Sequence, residues 1–244
     1  MTASRDVLAL HCGLASGAAW RGVQAALPGR RLICPDLPGH GAAADWDRQV
    51  DFQTQALADV LAALPDAPVD VIGHSFGGCL ALRLLADHPA RVRSLILFEP
   101  VMFAAADPAD RLAHTAEMAP FARFLDADDR VGAAAFFHDL WGDGRPFAAM
   151  SDRAQAYIAA RIHLIRACEP SILDDVHGVL DRLPALSVPC LILTRHAPPP
   201  IVGQIAAGLS ARLSASVEDL GQGHLTPLTE PASLAARAQA FWGE

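Results

Sequence analysis

The segment GHSFG, Gly73 to Gly77, sets a serine between two glycines at the spacing G-x-S-x-G. The apolar run VDVIG leads into it, and the helix-forming run FGGCLALRLL follows at once. A serine on so sharp a strand-to-helix turn carries its hydroxyl above the sheet, beside the free N–H groups of a helix start. Gly73 and Gly77 suit the crowding that such a turn imposes two residues to either side. Once a base takes its proton, this hydroxyl is a nucleophile, and the chemistry it serves is acyl transfer through a covalent intermediate. A turn that merely packs a helix tightly onto a strand would also use glycines, but the strand and helix on its flanks favour Ser75 as a nucleophile.

The base is sought among ten histidines. His88 ends a helix, while His114, His138 and His163 fall in a helical stretch and admit ordinary packing roles. His224 differs: it follows a strand end in the turn GQGH, from which an imidazole can swing over the sheet edge toward Ser75. His74 reads as packing within the serine turn, and His11 as shaping its own loop. A carboxylate must then orient the imidazole and stabilise its charged form. In SLILFEPVMF, Glu99 closes a buried apolar run with Pro100 behind it, an unusual place for a charge. A solvated loop charge is the ordinary explanation. Asp219, close to His224 but inside a strand, and the more remote Asp174 and Asp175 compete for the role.

These residues need elements to hold them. DVLALHC, RRLICPDL, VDVIG, RVRSLILF, SVPCLILT and ASVEDL read as strands. Helices are expected from Ser16 as N-cap to Leu27, after Asp51 as N-cap, from Phe76 to about His88, around Val202–Leu209, and from Pro231 to near Trp242. In FQTQALADVLAAL, Phe52, Ala56, Val60 and Leu64 fall near one face. Strands alternating with helices imply a mainly parallel sheet covered on both faces. From Val101 to about Leu186 the rhythm breaks into helical patterns with no convincing strand. The expectation is an α/β core over residues 1–100 and 187–244, with a helical cap or lid inserted at 101–186.

Several motifs resemble the α/β-hydrolase family. HCGLASGAAW, His11 to Trp20, is similar to the family's HG-x-x-x-S-x-x-x-W segment after an early strand. PDLPGHG, Pro35 to Gly41, is similar to its next strand-end loop, and GQGHLTPLTEP to its catalytic histidine loop. The resemblance runs from about Asp6 to Trp242 and is weakest in the helical insertion. It implies the α/β-hydrolase fold, here trimmed to six strands in the order 2-1-3-4-5-6, because the chain begins almost at the first motif strand. It also implies an oxyanion hole built from the backbone amides of Gly13 and Phe76. Cys12 stands where the family usually has Gly, and GHGAAA lacks the Ser that often follows. The family most often supplies its acid after the strand LILT, yet Thr194 to Ser216 contains no Asp or Glu. In some members the acid ends the strand after the nucleophile helix, which is Glu99 here. The order Ser75, Glu99, His224 then matches the family's.

Composition bounds the rest. Of the 244 residues, 52% are hydrophobic and 19% charged, which fits a folded domain with a substantial core. A formal net charge of −8 gives no reason to expect nucleic acid, and no basic amphipathic segment suggests a membrane surface. No apolar run reaches the roughly 18 residues needed to span a bilayer. Five scattered cysteines without ligand spacing, and an opening MTASRDVLALHCG that fails as a leader, point to a cytoplasmic protein. Six phenylalanines between Val101 and Met150, with Trp141, form either the core of the lid or an apolar substrate pocket, for which Phe103, Phe137 and Trp141 are the candidates. Arg161 and Arg166 read as a solvated helix face. The expected activity is cofactor-free and metal-free serine hydrolysis of a small or medium apolar ester or lactone. C–C bond hydrolysis, acyl transfer, or ligand binding without catalysis remain alternatives.

Overall fold

The computed structural model describes residues 5–244; the first four residues of the opening segment, read above for a leader, lie outside it. The chain runs β1 (Val7–Leu10), α1 (Arg21–Ala26), β2 (Leu32–Ile33), α2 (Phe52–Ala63), β3 (Val69–His74), α3 (Phe76–Asp87) and β4 (Val92–Phe98). Six helices follow: α4 (Pro108–Glu117), α5 (Ala119–Asp126), α6 (Arg130–Trp141), α7 (Asp152–Arg161), α8 (His163–Leu173) and α9 (Val179–Arg182). The chain then returns through β5 (Cys190–Thr194), α10 (Pro200–Leu213), β6 (Ser216–Asp219), α11 (Thr226–Thr229) and α12 (Pro231–Trp242).

All five strand pairings are parallel, in the order β2-β1-β3-β4-β5-β6. Period-two alternation divides the strands between two cores. Leu8 and Leu10 of β1, Val71 of β3 and Leu95 and Leu97 of β4 face the larger cluster with α2, α3 and α10. Val7, Ala9, Ile72, Ile96 and Phe98 face the other side, against α1 and α12. The helical block between β4 and β5 has its own small core around Phe121, Phe147 and Ile162.

Four details differ from the sequence expectation. Ser16 makes no side-chain cap; Asp36 Oδ1 accepts from the Gly17 amide at 2.7 Å instead, and a 3₁₀ turn precedes a helix that ends at Ala26. The second strand shrinks to Leu32–Ile33, because it pairs with β1 alone at the sheet edge. The helix expected at Val202–Leu209 extends over Pro200–Leu213, since Pro199 and Pro200 favour a helix start rather than continuing a loop. Asp219 lies at the exposed end of β6, paired with His196. Asp51 caps α2 as expected, accepting from Thr54 N at 2.8 Å, and Phe52, Ala56, Val60 and Leu64 are all buried.

The turn after β3 shows why glycine is required there. A Cβ on Gly77 would lie 2.3 Å from the Leu10 carbonyl oxygen of β1, and one on Gly73 would lie 2.7 Å from Gly77 O. A Cβ added to Gly203, inside α10, would have nothing within 4 Å. Gly77→Ala is therefore expected to destabilise by about 3 kcal/mol, because backbone cannot yield as a side chain would. Gly203→Ala is expected to stabilise by about 0.5–1 kcal/mol through helix propensity. Urea unfolding midpoints of the two variants check both signs.

Candidate active site

Ser75 sits between β3 and α3 with φ +56° and ψ −121°, a conformation that a non-glycine residue adopts only at a cost. Its amide is held by Phe98 O at 3.0 Å, so the end of β4 pins the turn. The register of β3 on β4, with His74 opposite Phe98, brings the residue after each strand to the same edge of the sheet. Ser75 and Glu99 are those two residues. Glu99 also has positive φ, +40°, and its amide continues the ladder to Leu193 O of β5 at 2.8 Å.

Glu99 is 1% exposed, and its carboxylate is saturated. Its Oε2 lies 2.6 Å from His224 Nδ1. Arg195 donates three times: from its amide and Nε to Oε1 and from a terminal nitrogen to Oε2, each at 2.8 Å. Burial by itself would raise the carboxyl pKa. The hydrogen bonds from Arg195 and His224 outweigh it and hold Glu99 down at about 2. Glu99 is thus an anion that fixes the His224 proton on Nδ1 and leaves Nε2 as the acceptor.

His224 is buried and held from behind. His74 Nε2 donates to its carbonyl oxygen at 2.8 Å, and the two rings lie 4.9 Å apart. Burial, then the neighbouring His224, pushes the His74 pKa well down, so His74 is neutral. Ser75 and His224 line the same cavity, although no hydrogen bond yet joins Oγ to Nε2. Such contacts are commonly loose in empty sites and tighten with substrate.

Gly13 and Phe76 line that cavity beside Ser75. Among the described residues, neither amide is committed to another backbone partner outside regular helix bonding. Two neutral histidines shape the Gly13 loop. His11 Nε2 accepts from Leu37 N at 3.0 Å, which places its proton on Nδ1 facing Cys12 O at 2.8 Å. His40 Nε2 accepts from Leu14 N at 3.1 Å, and its Nδ1 faces Pro38 O at 2.9 Å. Burial, followed by the proximity of His11, lowers His40 to about 4, and burial lowers His11 too. Cys12 is buried, which pushes its thiol up to about 12, so it is an inert neighbour.

The cavity measures about 470 Å³. Phe103, Phe137 and Trp141 line it, as do Met118, Ile165 and Ile172. The aromatic residues of the helical block are divided: Phe121 and Phe147 fill the block's own core, whereas the three candidates face the cavity. Arg161 reaches Gly39 O, and Arg166 pairs with Asp126, both outside this cavity. Asp175 is spent on the amides of Val179 and Leu180, and Asp219 on exposed His196, so neither meets His224. Among the described residues, no group of three or more His, Cys, Asp or Glu is placed to hold a metal ion. Among the described residues, no helix is long and apolar enough to cross a membrane.

Sequence reasoning missed Arg195, the backing role of His74 and the bracing role of His40. Arg195 had a signal: it stands in the loop where a carboxylate was sought, beside an otherwise unexplained buried glutamate. His40 and His74 had none, because their partners are 26 and 150 residues away.

The family model for the alpha/beta hydrolase fold matches residues 7–156. Lipase LipV of Mycobacterium tuberculosis strain H37Rv is 31% identical over 94% of this chain and 90% of its own length. This chain belongs to the α/β-hydrolase fold family. A pimeloyl-[acyl-carrier protein] methyl ester esterase of Neisseria meningitidis is 50% identical over 62 residues, which are 25% of this chain and 23% of that protein. An α/β hydrolase from Sphaerobacter thermophilus superposes with a TM-score of 0.72 over 98% of this chain and 92% of its own, at 20% identity; that likeness speaks for the fold alone.

The Glu99 cluster of this α/β hydrolase has a pH signature. The folded-state pKa is depressed to about 2, so its stabilisation is fully present above the unfolded value near 4.5 and is lost as pH falls toward 2. The stability difference between wild type and Glu99→Gln should shrink by roughly 3 kcal/mol from about pH 5 to about pH 2. Urea unfolding of both proteins across that range measures it; a constant difference would contradict the burial of an ionised Glu99.

Proposed function

We propose that the chain is a serine hydrolase that cleaves a small or medium-sized apolar carboxylic ester or lactone through an acyl-enzyme. The observation that carries this reading is the 2.6 Å bond from buried Glu99 to His224, which lines one cavity with Ser75 at the start of α3. The names of two relatives, a lipase and a methyl ester esterase, support ester cleavage as the reaction.

Ser75 Oγ attacks the ester carbonyl as His224 Nε2 takes its proton. The amides of Gly13 and Phe76 donate to the oxyanion that develops, and their fixed positions require no reorganisation at that moment. Glu99 stabilises the imidazolium through Nδ1 without being protonated itself, as its low pKa demands. His224 returns the proton to the leaving alcohol, then activates water on the opposite course and frees the acid. The apolar walls from the helical block, Phe103, Phe137 and Trp141, act as a lid that accepts the substrate's hydrocarbon part. Residues 101–186 form this lid and the remainder the catalytic core. No cofactor or metal takes part in any step.

Fluorophosphonate labelling with mass-spectrometric location of the adduct tests the reading. The adduct is expected on Ser75, to be absent in Ser75→Ala, and to form about 10²–10⁴-fold more slowly in Glu99→Gln. Asp219→Asn, which touches the His196 pair and the Thr194 hydroxyl but not His224, should label at the wild-type rate. Folded wild type that gives no adduct would leave a ligand-binding protein without catalysis. An adduct that slows in Asp219→Asn and ignores Glu99→Gln would return the acid to β6.

A further inference from the structure

One buried polar ring of the cavity wall makes no hydrogen bond within the protein. His114 is the buried residue of α4, 6% exposed, and it lines the cavity over Ser75. Its orientation is fixed by aromatic contacts. The ring stacks on Phe103, with centroids 4.3 Å apart and planes 16° from parallel, and meets Trp141 edge-on at 5.9 Å. Trp141 in turn contacts the His224 ring at 5.2 Å, so His114 stands two ring contacts from the proposed base.

Its nitrogens are less well provided for. Nδ1 is enclosed and has no hydrogen-bond partner, although Glu117 Oε2 stands 3.4 Å away. That carboxylate favours the proton on Nδ1 electrostatically, which makes Nε2 the nitrogen with a lone pair. Burial lowers the ring's pKa, so it is neutral at pH 7. Nε2 has no hydrogen-bond partner in the protein and, unlike Nδ1, is not sealed off, and the ring lines the cavity. An enclosed polar group without a partner costs about 1–3 kcal/mol. A leucine or phenylalanine would fill the same place against Phe103 and Trp141 without that cost.

We propose that His114 is a polar anchor for the substrate: its Nε2 accepts a hydrogen bond from a hydroxyl on the acyl chain, remote from the scissile carbonyl. The enzyme then selects esters of hydroxyalkanoic acids over plain alkanoates. This rests on the serine-hydrolase reading. The acyl chain is the part to be held, because it stays attached to Ser75 through both half-reactions while the alcohol departs. A donor is required: a keto or ether oxygen at the same carbon would set lone pair against lone pair. The other charged groups of the wall suit the role less, because Arg123 is exposed and Glu169 only half-buried, each open to water.

The test uses p-nitrophenyl alkanoates of one chain length with a hydroxyl moved along the chain, and matched keto analogues. In wild type, one hydroxyl position should raise kcat/KM about tenfold over the parent ester, equivalent to about 1.4 kcal/mol. The keto analogue should gain nothing. In His114→Phe the ratio of hydroxy ester to parent should fall to about one, whatever happens to the absolute rates; His114→Leu is the second substitution should phenylalanine overfill the site. Wild type without a preferred position, or a preference that survives both substitutions, overturns the proposal. Calorimetric binding of the corresponding methyl esters to Ser75→Ala reads the anchor apart from catalysis. Tighter binding of the hydroxy ester there, lost on substitution of His114, supports the anchor even where Ser75 fails to label and the hydrolase reading falls.

Discussion

A buried carboxylate has to be surrounded by donors, and the reactive edge of this sheet is organised around meeting that requirement for Glu99. An isolated charge in so dry a place would be neutralised by a proton rather than kept. Here the Arg195 amide and guanidinium and the His224 imidazole occupy both oxygens. Each donor comes from a different strand exit: Arg195 follows β5, and His224 lies in the loop after β6. The ion thereby ties three neighbouring loops together at one point. Removing a partner would leave a charge stranded, which costs far more than the net worth of the pair. Rigidity at this point is what lets the His224 tautomer be fixed before any substrate arrives.

Part of the chain's backbone strain lies in the same region. Leu14, Ser75 and Glu99 all take positive φ, and each follows a strand that ends at the cavity edge. Such conformations cost of order 1–3 kcal/mol each and persist only where the surroundings over-determine them. Ser75 is pinned by Phe98 O, Glu99 by Leu193 O, and Leu14 by the His40 ring. The central strands that hold Ser75 and Glu99 are almost wholly buried, so these two strained residues lean on little-deformable elements.

The sequence made the architecture legible because its signals are local and periodic. Short apolar runs marked β1, β3, β4 and β5, the glycines marked the turn at Ser75, and parallel topology put Glu99 and Ser75 on one edge. Boundaries were less legible where neighbours decide them. Ser16 is a good capping residue by type, yet it makes no cap, and Asp36 from twenty residues on holds the Gly17 amide instead. The site's supporting residues were the least visible. His40, His74 and Arg195 act through partners far along the chain, and His114 reads as an ordinary helix residue until Phe103 and Trp141 are seen around it. Propensity and spacing carry no information about such pairs.

The position of Glu99, the proposed acid, also accounts for the loop that lacks a carboxylate. When the carboxylate leaves β4, it enters the space beneath the β5 exit, where the family more often has its acid. Two carboxylates facing one imidazole would repel each other, and one of them would take up a proton. The loop after β5 therefore cannot retain its own acid without weakening the first. A cation there does the opposite: Arg195 binds both Glu99 oxygens and keeps the anion charged at a depth where it would otherwise be protonated. Glu99 and Arg195 are thus a matched pair, in which the cation at the exit of β5 keeps the carboxylate at the exit of β4 charged.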